Sequence, residues 1–324
     1  MTVDFPFEEP LRFHAADDGL HDPGPTHDWT ETMWWSFNVP ERELAGWLYA
    51  QIRPNIGTLA GGAFVYDPSA VLPWELPYCA WFAHLPLPDP LDLTDVTFRS
   101  GVSVRCSEPG MRYELGYRFR DHTDFLAELE FEGITPPVPH LEGAPPFTGS
   151  SHFDQHGRVR GTLQLHGEHI AVDCMAVRDR SWGRRPELIG RRGRLSYTFG
   201  SSGPDDGFLA FCVAPGRDPL GDSETLTAGY VFRGGAVRRL EHLDRQVLRH
   251  PVHVGVDRVE LDGADTDGRR FRAIGEARSR MFLPGNSVCI NTLLCWDVDG
   301  MEAWGEDQDV WPAASFADRT RALR

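Results

Sequence analysis

Along this chain, short runs of alternating apolar and polar residues are broken by clusters of Gly, Pro, Asp and Asn. Alternation with period two puts every second side chain on one face of a strand, so such runs between turn residues predict β structure. The pattern predicts strands at 33–39, 44–52, 59–66, 78–83, 111–119 and 125–133. Further runs follow at 158–166, 169–175, 195–200, 208–214, 225–232, 252–261, 270–280, 288–298 and 301–310. Asp299-Gly300, between the last two, is a hairpin signal. Only 40–50, 236–249 and 313–324 read as short helices. Five prolines (Pro136, Pro137, Pro139, Pro145 and Pro146) interrupt the pattern and mark a boundary or long crossover, which divides the chain into 1–146 and 147–324. Many short strands on both sides of it predict an all-β fold, with an antiparallel barrel or sandwich in each half and few short helices.

At 324 residues, with 41% aliphatic and aromatic residues, the chain has enough material for two cores. Its 32 basic residues are outnumbered by 48 acidic ones, for a net charge of −16. Nucleic acids and anionic membranes repel such a protein at long range, so neither is an expected partner. All the basic residues are arginine. That excludes an internal lysine for a Schiff base, a pyridoxal phosphate linkage or a Walker-type phosphate loop. The cysteines (Cys79, Cys106, Cys174, Cys212, Cys289 and Cys295) are dispersed without a CxxC pair and read as buried free thiols. Residues 1–10 are acidic and contain proline, unlike a signal peptide, and no apolar run approaches the ~20 residues of a membrane helix. A cytoplasmic location without membrane insertion is expected.

Known catalytic signatures are missing. No GxSxG elbow, HExxH motif or dinucleotide fingerprint occurs, so neither an organic cofactor nor a metal is expected. Four segments carry candidate chemistry. In Val177–Arg185, Asp179 adjoins Ser181 and Trp182; buried in an apolar cavity, Asp179 would gain proton affinity and act as an acid, with Trp182 lining the same pocket. In the competing reading Asp179 pairs with an arginine and Trp182 plugs the barrel end. In SHFDQH, alternation puts His152, Asp154 and His156 on one face, suited to acid–base work, to metal ligation or to a hydrogen-bonded loop. In WGEDQDVW, Glu306 and Gln308 point one way and Asp307 and Asp309 the other, one set toward a cavity and one toward solvent. The aromatic segment offers Trp34 and Trp35, which face opposite sides, and Tyr49, which shares a face with Trp47. Arg53 and Asn55 follow, either as the polar end of a pocket or as a turn. The arginines crowded between Arg178 and Arg194 either gather an anion or pair with carboxylates.

The stretches ETMWWSF, GWLYAQIRPNIG, GGAFVYD, LPWE, HFDQHGRVRGTL, VDCMAVRDRSWGRR and WGEDQDVW, from Thr30 to Trp311, are similar to an uncharacterised bacterial branch of the hydroxyneurosporene synthase-like superfamily. This group includes carotenoid hydratases and AttH-like proteins, and more distantly resembles the lipocalin-like pericyclases of fungal polyketide pathways. The resemblance implies two lipocalin-like β units in tandem, a ligand pocket in or between them, and cofactor-free chemistry on olefins or polyketides in some members. DRSWG is its most specific piece.

The expected function is proton transfer on a hydrophobic terpenoid or polyketide-like molecule, as a hydratase, isomerase or cyclase. Asp179 would be the acid, His152 its partner, and Glu306 or Asp307 the second carboxylate. Trp34 or Trp35, Tyr49, Tyr78, Trp182, Tyr197 and Trp304 would form walls, with Arg53 and Asn55 at a polar end. A lipocalin-type binding protein without chemistry and a metal-dependent hydrolase using His152, Asp154 and His156 are the alternatives.

Overall fold

The computed structural model describes residues 13–121, 124–140, 150–185, 193–214, 224–285 and 287–322. Residues 1–10, most of the second half of the Pro-rich stretch, and Arg191 and Arg192 lie outside them. The strands are β1 (Trp29–Val39), β2 (Leu44–Arg53), β3 (Thr58–Tyr66), β4 (Tyr78–Pro86), β5 (Asp95–Thr97), β6 (Val102–Glu108), β7 (Arg112–Arg118), β8 (Phe125–Gly133) and β9 (Val138–Pro139). They continue as β10 (Ser150–Leu165), β11 (Glu168–Arg184), β12 (Arg194–Gly203), β13 (Asp206–Ala214) and β14 (Thr225–Arg233). The last are β15 (Ala236–Arg249), β16 (Val256–Asp265), β17 (Arg270–Leu283), β18 (Ser287–Val298) and β19 (Met301–Pro312), before the helix α1 (Ala313–Ala322).

The all-β expectation of two antiparallel units holds. The first is an open half-barrel in the order β4-β3-β2-β1-β11-β10-β8-β7-β6-β5, with β9 added on β10, and the second is a closed barrel of β12 through β19. A very short β5 at one edge and Pro86 on the other blunt the open sheet against pairing with another chain. The change of unit falls between Arg184 and Arg194, not at the prolines, because β10 and β11 pair with each other, with β8 and with β1. Their hairpin turns at His166 and Gly167, both with positive φ as a tight two-residue turn requires.

Three differences from the sequence reading have physical reasons. The 236–249 segment is β15, not a helix. A register shift between Leu240 and His242 carries Leu240 and Leu243 to the same barrel core, imitating a helical spacing with a strand bulge. Of 40–50, only Pro40–Arg42 forms a helical turn before β2 begins. The unassigned stretch 87–110 supplies β5 and β6, short strands whose apolar positions are few.

Apolar side chains form separate layers. Trp35, Phe37, Leu48, Tyr117 and Phe131 fill the concave face of the half-barrel. Phe208, Phe271 and Trp296 fill the closed barrel, where Gly275 leaves room for the Trp296 indole that a Cβ would meet at 2.6 Å. Among the described residues the barrel interior is therefore packed with side chains. A third layer, with Trp34, Trp47, Phe64, Tyr197, Phe199, Phe211 and Leu293, lies where the convex face of the half-barrel meets the outside of the barrel.

Candidate functional site

Strand parity decides which side chains reach the layer between the two units. In the β1–β11–β10 register, Trp34 stands opposite Asp179 and Asp179 opposite Asp154, so all three share the convex face. Thr32, Ser181 and His152 form the next row, with the Thr32 and Ser181 hydroxyls 2.6 Å apart. The alternation expected of His152, Asp154 and His156 is present, and their segment is the start of β10 rather than a loop.

Asp154 is the hub of one cluster. It accepts from Tyr197 Oη of β12 at 2.7 Å and lies 3.0 Å from His152 Nε2. Its other oxygen meets His140 Nε2. Short β9 pairs with β10 at Phe153 and Asp154, and the His140 amide donates to the His152 carbonyl, which brings His140 alongside. Burial alone would raise the Asp154 carboxyl, but the imidazoles of His152 and His140 outweigh it and hold it well below the usual carboxylate range. His156 is turned to Tyr230, whose hydroxyl is 2.9 Å from Nδ1, and burial lowers its pKa to about 4. Asp179 keeps a little accessible surface among these groups. Burial pushes its carboxyl up to about 7, and Asp154 adds to the rise against His152, Arg185 and Arg180. Among the described residues it forms no ion pair with the neighbouring arginines, of which Arg178 pairs with Asp18, Arg180 with Glu31 and Arg184 with Asp28.

A second cluster surrounds Glu306. Its Oε2 accepts from Trp47 Nε1 and from Asn291 Nδ2, each at 2.8 Å, and the Asn291 amide also donates to Tyr66 Oη at 2.6 Å. Burial lifts the Glu306 carboxyl to about 8 against those two hydrogen bonds. Glu306 Oε1, Asn291 Oδ1 and Trp34 Nε1 find no partner among the described residues. Trp34 joins the clusters: its ring packs edge-on to Trp47 at 5.5 Å and to Tyr197 at 5.9 Å. Three carboxyls therefore sit in one aromatic layer, Asp154 and Asp179 from the half-barrel and Glu306 from the barrel.

The remaining candidates separate. Tyr49, stacked on half-exposed Trp81, and Trp304 border this layer. Trp35 and Tyr78 belong to the half-barrel core, where the Tyr78 hydroxyl meets that of Tyr117 at 2.7 Å. Trp182 stands an odd number of residues from Asp179 and so points to the opposite face, stacked on His21 at 3.9 Å; the pocket expected to hold both is not formed. Asp307 faces into the closed barrel rather than the layer or solvent. Arg245 meets it at 2.6 Å, and Arg194, Arg249, Glu224 and Asp309 extend the network. Asn55 ties down a loop by donating to the Thr26 carbonyl at 2.6 Å, and Arg53 ends β2 with the parity of Trp47 and Tyr49. A surface hollow of 620 Å³ over β5 to β8 is lined by charged groups such as Asp95, Arg105 and Glu114 and shares no residue with either cluster. His140, Asn291 and Tyr66 were not singled out by sequence reasoning. Asn291 had a signal, a lone amide inside the apolar run of β18; His140 had none.

Solved structures share this architecture at low identity. An AttH-like protein from Nitrosomonas europaea superposes with a TM-score of 0.54 at 14% identity, covering 96% of this chain and 99% of that one. CghA crystallised with Sch210972 gives 0.59 at 11%, covering 95% and 96%, and kievitone hydratase from Nectria haematococca gives 0.52 at 12%, covering 96% and 99%. The tandem fold expected from the sequence resemblance is thereby met, and identities this low establish the fold alone. No curated protein matches the chain in sequence. A family model does match, over residues 14–307, and by that match the chain belongs to the DUF7064 family, a domain of unknown function.

Proposed function

We propose that the protein is an enzyme that moves a proton on a hydrophobic small molecule held between the half-barrel and the barrel. The observation that carries this reading is Glu306: a buried carboxyl in an aromatic layer, with one oxygen fixed by Trp47 and Asn291 and the other without a partner among the described residues. Burial keeps such a group protonated at neutral pH, and apolar walls exclude competing water, which are the conditions a general acid needs. Asp179, across Trp34, is the second carboxyl, and the aromatic faces of Trp34, Trp47 and Tyr197 stabilise positive charge developing on an olefin. Hydration, isomerisation and cyclisation all draw on this equipment. A hydratase and a protein crystallised with a small molecule among the structural neighbours support an apolar metabolite as substrate.

The test is incubation of the full chain with a panel of polyene and prenylated phenolic olefins in D₂O, followed by mass spectrometry. Gain of deuterium or of one water is expected with wild-type protein. Glu306→Gln is expected to stay folded and lose turnover by ~100-fold or more. Probe binding without isotope uptake would leave a carrier protein instead, and a fully active Glu306→Gln would remove the acid from the site.

A further inference from the structure

We infer that His140, His152 and Asp154 form a binding site for a divalent transition metal of the zinc or iron(II) class. The nitrogen and oxygen atoms these residues offer lie within 4.8 Å of one another, and all three side chains are buried. Two imidazoles and one carboxylate are a ligand set suited to those ions, whereas magnesium and calcium require mostly oxygen donors. Three protein ligands also leave coordination positions open to water or substrate.

Two independent features of the surroundings agree with a cation at this point. Tyr197 Oη donates to Asp154 Oδ1 at 2.7 Å, the kind of outer hydrogen bond that orients a ligating carboxylate. Asp179 stands directly opposite Asp154 on the adjacent strand and on the same face. Like charges in that position repel, and a divalent cation beside Asp154 offsets them both. The set differs from the His152, Asp154 and His156 trio legible in the sequence. Tyr230 engages His156, while the β9–β10 pairing substitutes His140. It also reverses the expectation that the protein holds no metal. Glu306 is not among its ligands, so it stands whether or not Glu306 transfers a proton.

The experiment measures metal directly, without substrate, which keeps its outcome separate from that of the isotope assay. Full-length protein is stripped with chelator, titrated with Zn²⁺ and with Co²⁺, and assayed by elemental analysis, visible absorption and thermal melting. One ion per chain, cobalt ligand-field bands and a Tm raised by Zn²⁺ are expected. His140→Ala and Asp154→Asn should each weaken binding ~100-fold or more, and His156→Gln should retain it. Should either of the first two unfold, His152→Gln, which keeps a hydrogen-bonding amide, is the substitute. Absence of uptake by wild-type protein overturns the proposal, as does equal affinity in the ligand variants or selective loss in His156→Gln.

Discussion

A single residue, Glu306, shows how burial turns a common side chain into a specialised one. Its neighbours Asp307 and Asp309 lie close in sequence, yet Asp309 is held well below the usual carboxylate range, because Arg249 and Arg194 outweigh its burial. Among the described residues Glu306 has only the neutral donors Trp47 and Asn291, and burial raises it from 4.5 to about 8. The folded state therefore retains a proton that the unfolded chain releases above about 4.5. The stabilisation from that proton is complete below 4.5 and declines as pH rises to about 8, where the folded form ionises too. Glu306→Gln, always neutral, lacks this decline. Urea unfolding of both proteins across this range should show wild-type stability falling relative to the variant, by on the order of a few kcal/mol. A constant difference would mean Glu306 is ionised throughout.

Among the elements, β19 does the most to position the site, and its path depends on a glycine. A Cβ at Gly305 would meet the Phe199 carbonyl oxygen at 2.0 Å, so β12 and β19 approach there as only glycine permits. The adjoining residue is Glu306, whose carbonyl accepts from Thr198 Oγ1 across the same seam. Gly305→Ala should lower stability by ~1–3 kcal/mol. It should also displace Glu306 from Trp47, read as a change in tryptophan fluorescence. An Ala variant with native melting and native fluorescence would show that the seam tolerates the methyl. β11 plays the matching part in the other unit. One face carries Asp179 and Ser181 to the layer; the other carries Arg178, Arg180 and Trp182 to the strap of residues 13–21. There Asp18 accepts from Arg178 Nη1 at 3.0 Å and from the Gly110 amide at 2.7 Å, fixing the strand from behind.

For the whole molecule, the division of labour is that each unit fills its own interior and the layer between them carries the candidate chemistry. The closed barrel ends in a network of Arg194, Arg245 and Arg249 against Glu224, Asp307 and Asp309. Charges buried there depend on their partners, and removing one leaves another uncompensated. Asp307→Asn should therefore cost ~3 kcal/mol or more by denaturant unfolding while leaving ligand binding intact in the protein that folds. Glu306→Gln, one residue away on the opposite face, should instead fold and lose turnover. If Asp307→Asn melted normally and lost turnover instead, the barrel network would be part of the active site.

Local pattern is enough to define most of the strands, and with them the parity of the residues they carry. Side chains alternate strictly along a strand, so the order of residues alone puts His152, Asp154 and His156 on one face, separates Trp34 from Trp35, and makes Glu306 and Asp307 diverge. Bulges escape that logic: the one in β15 mimics a helical period, since two apolar residues three apart reach the same core only when the ladder slips. Which face meets the other unit is a matter of tertiary packing. Alternation names two faces without saying which one a second domain will cover, so parity puts Asp179 and Trp182 on opposite faces of β11 and only the packing decides which faces the layer and which the strap. The partners of Glu306 come from β2 and β18, and His140 reaches Asp154 by way of β9. Contacts between residues so distant along the chain, such as Trp47 with Glu306, leave no trace in local pattern, because they arise from how sheets stack and not from how strands form.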